Sequence, residues 1–136
     1  MAAFVVDTSA LICVFGEEPD AEAFRLVLRE ADQIVISMGT VFESSCVARG
    51  NRFPDGENRF ARLLAALDME YAAFDNEQLD AARAGYARYG KGSGHPAALN
   101  MGDCFAYALA KTRGLPLLFK GDDFVHTDVV PALKPA

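Results

Sequence analysis

Tryptophan is absent from this chain, and cysteine and histidine are scarce, with three Cys and two His among 136 residues. Cys13, Cys46 and Cys104 are an odd number and contain no C-x-x-C pair. That argues against a disulfide framework and a thiolate zinc site, which need paired ligands at short spacing. Each cysteine lies in an apolar stretch and is read as a small buried hydrophobe. His95 and His126 are too few and too scattered for a zinc site, and no Ser/His/Asp triad order can be read. Long apolar runs are missing too. Met1 to Val6 carries no basic region, and Asp7 ends its apolar run, so neither a signal peptide nor a membrane span is expected. The expected location is the cytoplasm. Positive charge is also short, with 13 Lys and Arg against 19 Asp and Glu, a net charge of −6. A global basic footprint for nucleic acid is therefore lacking. This counts against a plain nucleic-acid-binding module. It counts less against an enzyme whose acidic pocket is balanced by cations.

What the chain does have is apolar content: 51% hydrophobic and 24% charged residues, enough for one folded domain spanning 1–136. Ten Phe supply the aromatic core volume. Ala3 to Val6, Gln33 to Ser37, Tyr71 to Phe74 and Leu117 to Phe119 read as short buried strands, and Asp128 to Pro131 as a last edge strand. Helical spacing fills the intervals. One helix opens at Thr8-Ser9 and a second at Pro19-Asp20, carrying Phe24, Val27 and Leu28. A third runs from about Gly39 to Arg49. A fourth carries Phe60, Leu63, Leu64 and Leu67 after the Pro54-Asp55-Gly56 turn. The fifth spans Asn76 to Tyr89 with Leu79, Ala82 and Tyr86 on one face, and the last runs from Gly102 to Arg113. Strands alternating with helices predict an α/β fold: a three-layer α/β/α arrangement around a mostly parallel sheet of four to five short strands.

The acids fall where such a fold places its ligands. Asp7 directly follows the first strand, and Asp122 and Asp123 directly follow the fourth. Ligands of open parallel sheets bind beyond the carboxyl ends of the strands. Asp103 opens the helix before the fourth strand, and Glu43 lies in the helix after the second. Carboxylates gathered in one crevice raise one another's pKa and call for a cation, and magnesium or manganese suits oxygen ligands. Thr8 and Ser9, beside Asp7, are suited to hydrogen-bond a ligand carboxylate or a metal-bound water. Each acid also has a structural reading: Asp7 as a helix cap, Asp103 as half of a capping box, Glu43 as a half-exposed surface acid, and Asp122 and Asp123 as a solvated turn.

Val5-Val6-Asp7-Thr8-Ser9-Ala10-Leu11, Glu43, Asn100-Met101-Gly102-Asp103-Cys104-Phe105-Ala106 and Leu117-Leu118-Phe119-Lys120-Gly121-Asp122-Asp123-Phe124 together resemble the four acidic blocks of PIN domains. The third and fourth resemble the VapC-type toxins of bacterial toxin–antitoxin pairs. The resemblance implies a magnesium- or manganese-dependent endoribonuclease with catalytic acids at Asp7, Glu43, Asp103 and Asp122. It implies structured RNA as substrate, such as transfer or ribosomal RNA, a small antitoxin as inhibitor, and a homodimer. Many family members separate two acids after the last strand by one residue, whereas Asp122 and Asp123 are adjacent. Asp122 is taken as the ligand and Asp123 as its helper or substitute.

Other features carry less. Gly90-Lys91-Gly92-Ser93-Gly94-His95 lacks the order of a nucleotide-binding loop and reads as a connector, with Lys91 on an RNA phosphate as the sharper alternative. Arg49, Arg52, Arg59 and Arg62 read as a solvated helix hairpin partnered by Glu57 and Asp55, the sharper alternative being a docking surface for RNA or antitoxin. His126 reads as a surface residue. Two rival functions remain. A phosphatase or receiver domain is disfavoured because Ser9 stands where a dehalogenase-like enzyme needs its second acid, and no acidic pair occurs near Gln33 to Ser37. A non-catalytic binding module on the same fold is disfavoured because it has no use for mutually repelling acids.

Overall fold

The computed structural model describes residues 2–134, so Met1, Pro135 and Ala136 of the expected 1–136 span lie outside the described residues. Strands β1 (Ala3–Val6), β2 (Gln33–Ser37), β3 (Glu70–Ala72) and β4 (Leu117–Leu118) form a parallel sheet in the order β3-β2-β1-β4. Helices α1 (Thr8–Phe15), α2 (Ala21–Glu30), α3 (Met38–Ala48), α4 (Gly56–Leu67), α5 (Asn76–Tyr89) and α6 (Met101–Arg113) connect them.

The strands are apolar throughout because both faces are covered. Successive side chains point to opposite faces. Phe4 and Val6 therefore join Ile34, Ile36 and Leu118 in a core roofed by α1, α2 and α4, while Val5, Val35 and Leu117 join the core under α5 and α6. A fully buried side chain of this size contributes about 1.5–3 kcal/mol, so the two-sided cover is what holds such short strands together. Helix α3 lies at the sheet's carboxyl end and packs on both α1 and α6. Its buried stripe, Thr40, Ser44 and Ala48, is small enough for that close approach.

Three expectations need correction. Asp128 to Pro131 forms only an isolated bridge, Leu117 with Pro131, rather than a strand; Pro131 has no N–H to extend a ladder. On α5 the buried face is Gln78, Ala82, Gly85 and Tyr89, while Leu79 and Tyr86 are exposed. Gly85 turns inward because the Tyr107 ring takes the space a side chain would fill, with a ring atom 2.5 Å from where a Cβ would stand. Cys46 is exposed, unlike Cys13 and Cys104. It falls on the same outer side of α3 as Phe42, four residues earlier, because the inner side is the small-residue stripe. Among the described residues no helix is long and apolar enough to cross a membrane.

Candidate active site

The strand order creates the crevice. From β1 the chain moves outward through β2 to β3, then crosses back to lay β4 on the other side of β1. The carboxyl ends of β1 and β4 thus flank the point where the winding reverses, the usual ligand position of such sheets.

Asp7 is the first residue beyond β1. Its extended backbone stops the strand, and its Oδ2 caps α1, accepting from Ser9 N at 2.9 Å and Ser9 Oγ at 2.6 Å. Ser9 Oγ in turn accepts from the backbone N–H of Lys120 at 2.9 Å, which ties the end of β4 to the first acid. The capping and functional readings of Asp7 are therefore compatible, because one oxygen caps and the other is spare. That spare oxygen, Oδ1, is buried with no hydrogen-bond partner. Burial raises the Asp7 carboxyl from 3.8 to about 7; the Ser9 bonds pull it down and the charges of Asp103 and Glu43 push it up further.

Glu43 projects from α3, half-buried, and its Oε1 accepts from Thr8 Oγ1 at 2.6 Å. Its other oxygen rests on Gly102 of α6: a Cβ there would lie 1.6 Å from Glu43 Oε2. The glycine is a cradle for the carboxylate. Asp103, the next residue, closes a capping box with Asn100, accepting from Asn100 N at 3.0 Å while Asn100 Oδ1 accepts from Asp103 N at 2.8 Å. Burial raises its carboxyl from 3.8 to about 6, against the pull of the Asn100 bond, and the charges of Asp123 and Glu43 add to the rise.

The Asp7 carboxyl thus feels the charges of Asp103 and Glu43, and the Asp103 carboxyl those of Asp123 and Glu43. Asp122, the residue preferred from sequence, lines a neighbouring pocket with Asp20, Phe24, Leu133 and Lys134. Both acids after β4 are exposed. Gly121, at φ 106°, makes the sharp turn before them, a conformation that glycine adopts freely.

A tighter cluster lies elsewhere. Cys13, Glu18 and Asp20 bring ligand-type atoms within 4.8 Å of one another, closer than the acids of the crevice. The Lys120 ammonium sits among them, paired with Glu18 and with Asp20 at 2.9 Å. The cation of that cluster is the lysine, and its role is to anchor the residue after Phe119. Burial pushes the Cys13 thiol up to about 12, so it is no thiolate ligand. The crevice is the better fit to a divalent ion. It offers oxygen donors alone, and one of them is buried and unpaired.

The basic hairpin follows its structural reading in part. Arg49 pairs with Glu57 at 3.0 Å, Arg52 covers the Phe53 ring and Arg59 the Phe15 ring. Asp55 bonds Asn58 rather than an arginine. His126 is exposed, in the 3-10 turn Phe124–His126.

A family model of the PIN domain matches residues 4–130. The chain belongs to the PIN-domain family. Ribonuclease VapC30 of Mycobacterium tuberculosis is 44% identical to this PIN domain over 132 residues, covering 96% of this chain and 99% of the relative. Ribonuclease VapC42 of the same species is 38% identical over 128 residues, covering 94% and 98%. Among solved structures, the PIN fold here resembles VapC20 of Mycobacterium tuberculosis, a sarcin-ricin loop cleaving toxin, with a TM-score of 0.73 at 14% identity over 93% of this chain and 96% of that one. A toxin–antitoxin complex from Klebsiella pneumoniae gives 0.69 at 20% identity over 96% and 98%. The sequence motifs point to candidate acids but not to the cradle at Gly102. A glycine beside a capping box carries no signal in sequence until the helix opposite it is known.

Proposed function

We propose that this PIN domain is a divalent-metal-dependent endoribonuclease and the toxin of a toxin–antitoxin pair. The observation that carries the reading is the buried, unpartnered Oδ1 of Asp7, a carboxyl at the sheet's switch point that the charges of Asp103 and Glu43 reach. A lone structural cap has no reason to bury a second, unsatisfied oxygen against two other acids. Near-full-length identity to ribonucleases VapC30 and VapC42 supports the same reading.

In this proposal Asp7 and Asp103 would hold a magnesium or manganese ion, with Glu43 and Asp123 completing the pocket and Asp122 the reserve for the fourth place. When bound, such an ion supplies an acidified water and neutralises charge on the cleaved phosphodiester. The protein's own groups do the positioning. Ser9 holds Asp7 Oδ2, which leaves Oδ1 without a hydrogen bond and available to an ion. Thr8 and the Gly102 cradle hold the Glu43 carboxylate at the rim, where it can orient water beside the substrate. The Asn100 box fixes Asp103 at the first turn of α6.

The partners that go with this function are a structured RNA, a cognate antitoxin and a second copy of the chain. Phe74, Leu79, Tyr86, Met101 and Phe105 line an apolar groove of about 620 Å³ along α5 and α6. Its exposed apolar side chains support a protein partner rather than RNA.

The test is cleavage of total cellular RNA by purified protein in magnesium, manganese or chelator, beside an Asp7→Asn variant. Metal-dependent cleavage that drops at least about a hundredfold in the variant is expected. Cleavage that survives both chelator and Asp7→Asn, or is missing in the intact protein, overturns the reading in favour of a binding module.

A further inference from the structure

The charged groups of the crevice are all acids, and a phosphodiester must reach them in a chain of net charge −6. A cation whose charge bears on the third acid sits on the α5–α6 connection. Lys91 donates its backbone N–H to Leu99 O at 2.9 Å, and Leu99 N returns to Tyr89 O at 2.8 Å, with Gly90 and Leu99 in a parallel bridge. Leu99 is fully buried, so the pairing is anchored in the core. The residue after Leu99 is Asn100, whose capping box holds Asp103. Lys91 is thus fastened to the same short segment that fixes the third acid.

The loop beyond it is built rather than slack. Gly92 and Gly94 take φ 86° and 85°, and Ser93 Oγ donates to Gly90 O at 2.6 Å. His95 Nδ1 accepts from Ala97 N at 3.1 Å, and its ring meets Tyr89 edge-on at 4.8 Å. The Lys91 side chain is exposed and makes no ion pair among the described residues, whereas Lys111 and Lys120 are both paired. Its charge reaches Asp103. A lysine without an ion pair beside an acidic pocket breaks no salt bridge when it turns toward an anion, and its charge suits an RNA phosphate approaching the acids.

We propose that Lys91 is a substrate-binding residue that grips the RNA phosphate next to the one being cleaved and so sets the strand's register on the carboxylates. The proposal rests on the ribonuclease reading and adds to it the residue that contacts the backbone.

The test compares wild type, Lys91→Ala, Lys91→Arg and Lys111→Ala. The last removes the same charge from the other end of α6. Binding of a fluorescein-labelled RNA stem-loop is followed by anisotropy in chelator across a salt series, and cleavage of the same RNA is followed in manganese. Lys91→Ala is expected to raise KM about tenfold with kcat within about threefold, and to flatten the log–log salt slope by about 0.7–0.9, the share of one phosphate. Lys91→Arg keeps the charge and restores both values, while Lys111→Ala moves neither. If wild type cleaves and Lys91→Ala leaves KM and slope unchanged, the proposal fails and the ribonuclease reading stands. If wild type binds with a Lys91-dependent slope but cleaves nothing, Lys91 keeps its role and the ribonuclease reading fails. If wild type neither binds nor cleaves, both fall.

Discussion

At Gly102 the chain omits a side chain, and the Glu43 carboxylate uses the space. A Cβ at that position would stand 1.6 Å from Glu43 Oε2 and 2.2 Å from its Cδ. The atoms in the way are the far end of a flexible side chain, so Gly102→Ala has an easy escape: Glu43 swings aside and the helix pair stays packed. The expected outcome is a melting temperature within about 3 °C of wild type, with manganese affinity by calorimetry and RNA cleavage each down about 10–100-fold, the range seen when a support of a metal ligand is lost. A large loss of stability with intact metal binding would show that the glycine serves packing and not Glu43. Ser9 illustrates the same logic from the other direction. Its hydroxyl donates to Asp7 and accepts from Lys120 N, so a single small side chain joins the first acid to the segment just after β4.

Among elements, α6 is the one that presents chemistry from its first turn. Asn100 caps it, Asp103 answers in the reciprocal bond, and Gly114 ends it in the left-handed conformation at φ 63°. Removing the cap by Asn100→Ala leaves the backbone N–H that holds Asp103 Oδ2 but strips the acceptor from Asp103 N. The loss is expected to be about 1 kcal/mol, seen as a melting temperature lower by about 3–6 °C, with cleavage in saturating manganese retained to within a few-fold. Collapse of activity at unchanged stability would instead place Asn100 in the chemistry. Helix α3 works differently. Its inner stripe of Thr40, Ser44 and Ala48 lets it nest between α1 and α6, and that placement carries Glu43 to the crevice.

For the whole molecule the crevice sets a pH dependence. Folding raises the Asp7 carboxyl from 3.8 to about 7. A group raised on folding contributes stability that is full below its unfolded value and is lost as pH climbs through the folded one, here between about pH 4 and pH 7. The ionised carboxylate then opposes folding by roughly 4 kcal/mol above that window. In chelator, Asp7→Asn is therefore expected to melt higher than wild type at pH 8, with the gap closing toward pH 5. Adding manganese at pH 8 should raise wild type and leave Asp7→Asn nearly unmoved, because binding to the folded state alone stabilises it by mass action. A gap that is constant across pH, measured by scanning calorimetry, would remove the buried charge from the account.

The layered α/β architecture is legible in the chain alone, because short, wholly apolar strands alternating with amphipathic helices must be covered on both faces. Asp7, Glu43 and Asp103 are legible there as candidates too, since Asp7 follows a strand, Asp103 opens a helix and Glu43 lies within the helix after the second strand. Tertiary structure decided what periodicity leaves open. Asp122 and Asp123 are adjacent in sequence, and of the two it is the Asp123 charge that reaches Asp103 in the fold. Cys46 is as apolar as Cys13, but the face that α3 buries was chosen by its neighbours and not by its hydrophobic residues. Pro131 extends no ladder, so the sheet ends at β4 with a single bridge beyond it. The cradle at Gly102 exists because two helices distant in sequence approach closely at one point, and the physical reason is excluded volume, which no local pattern records.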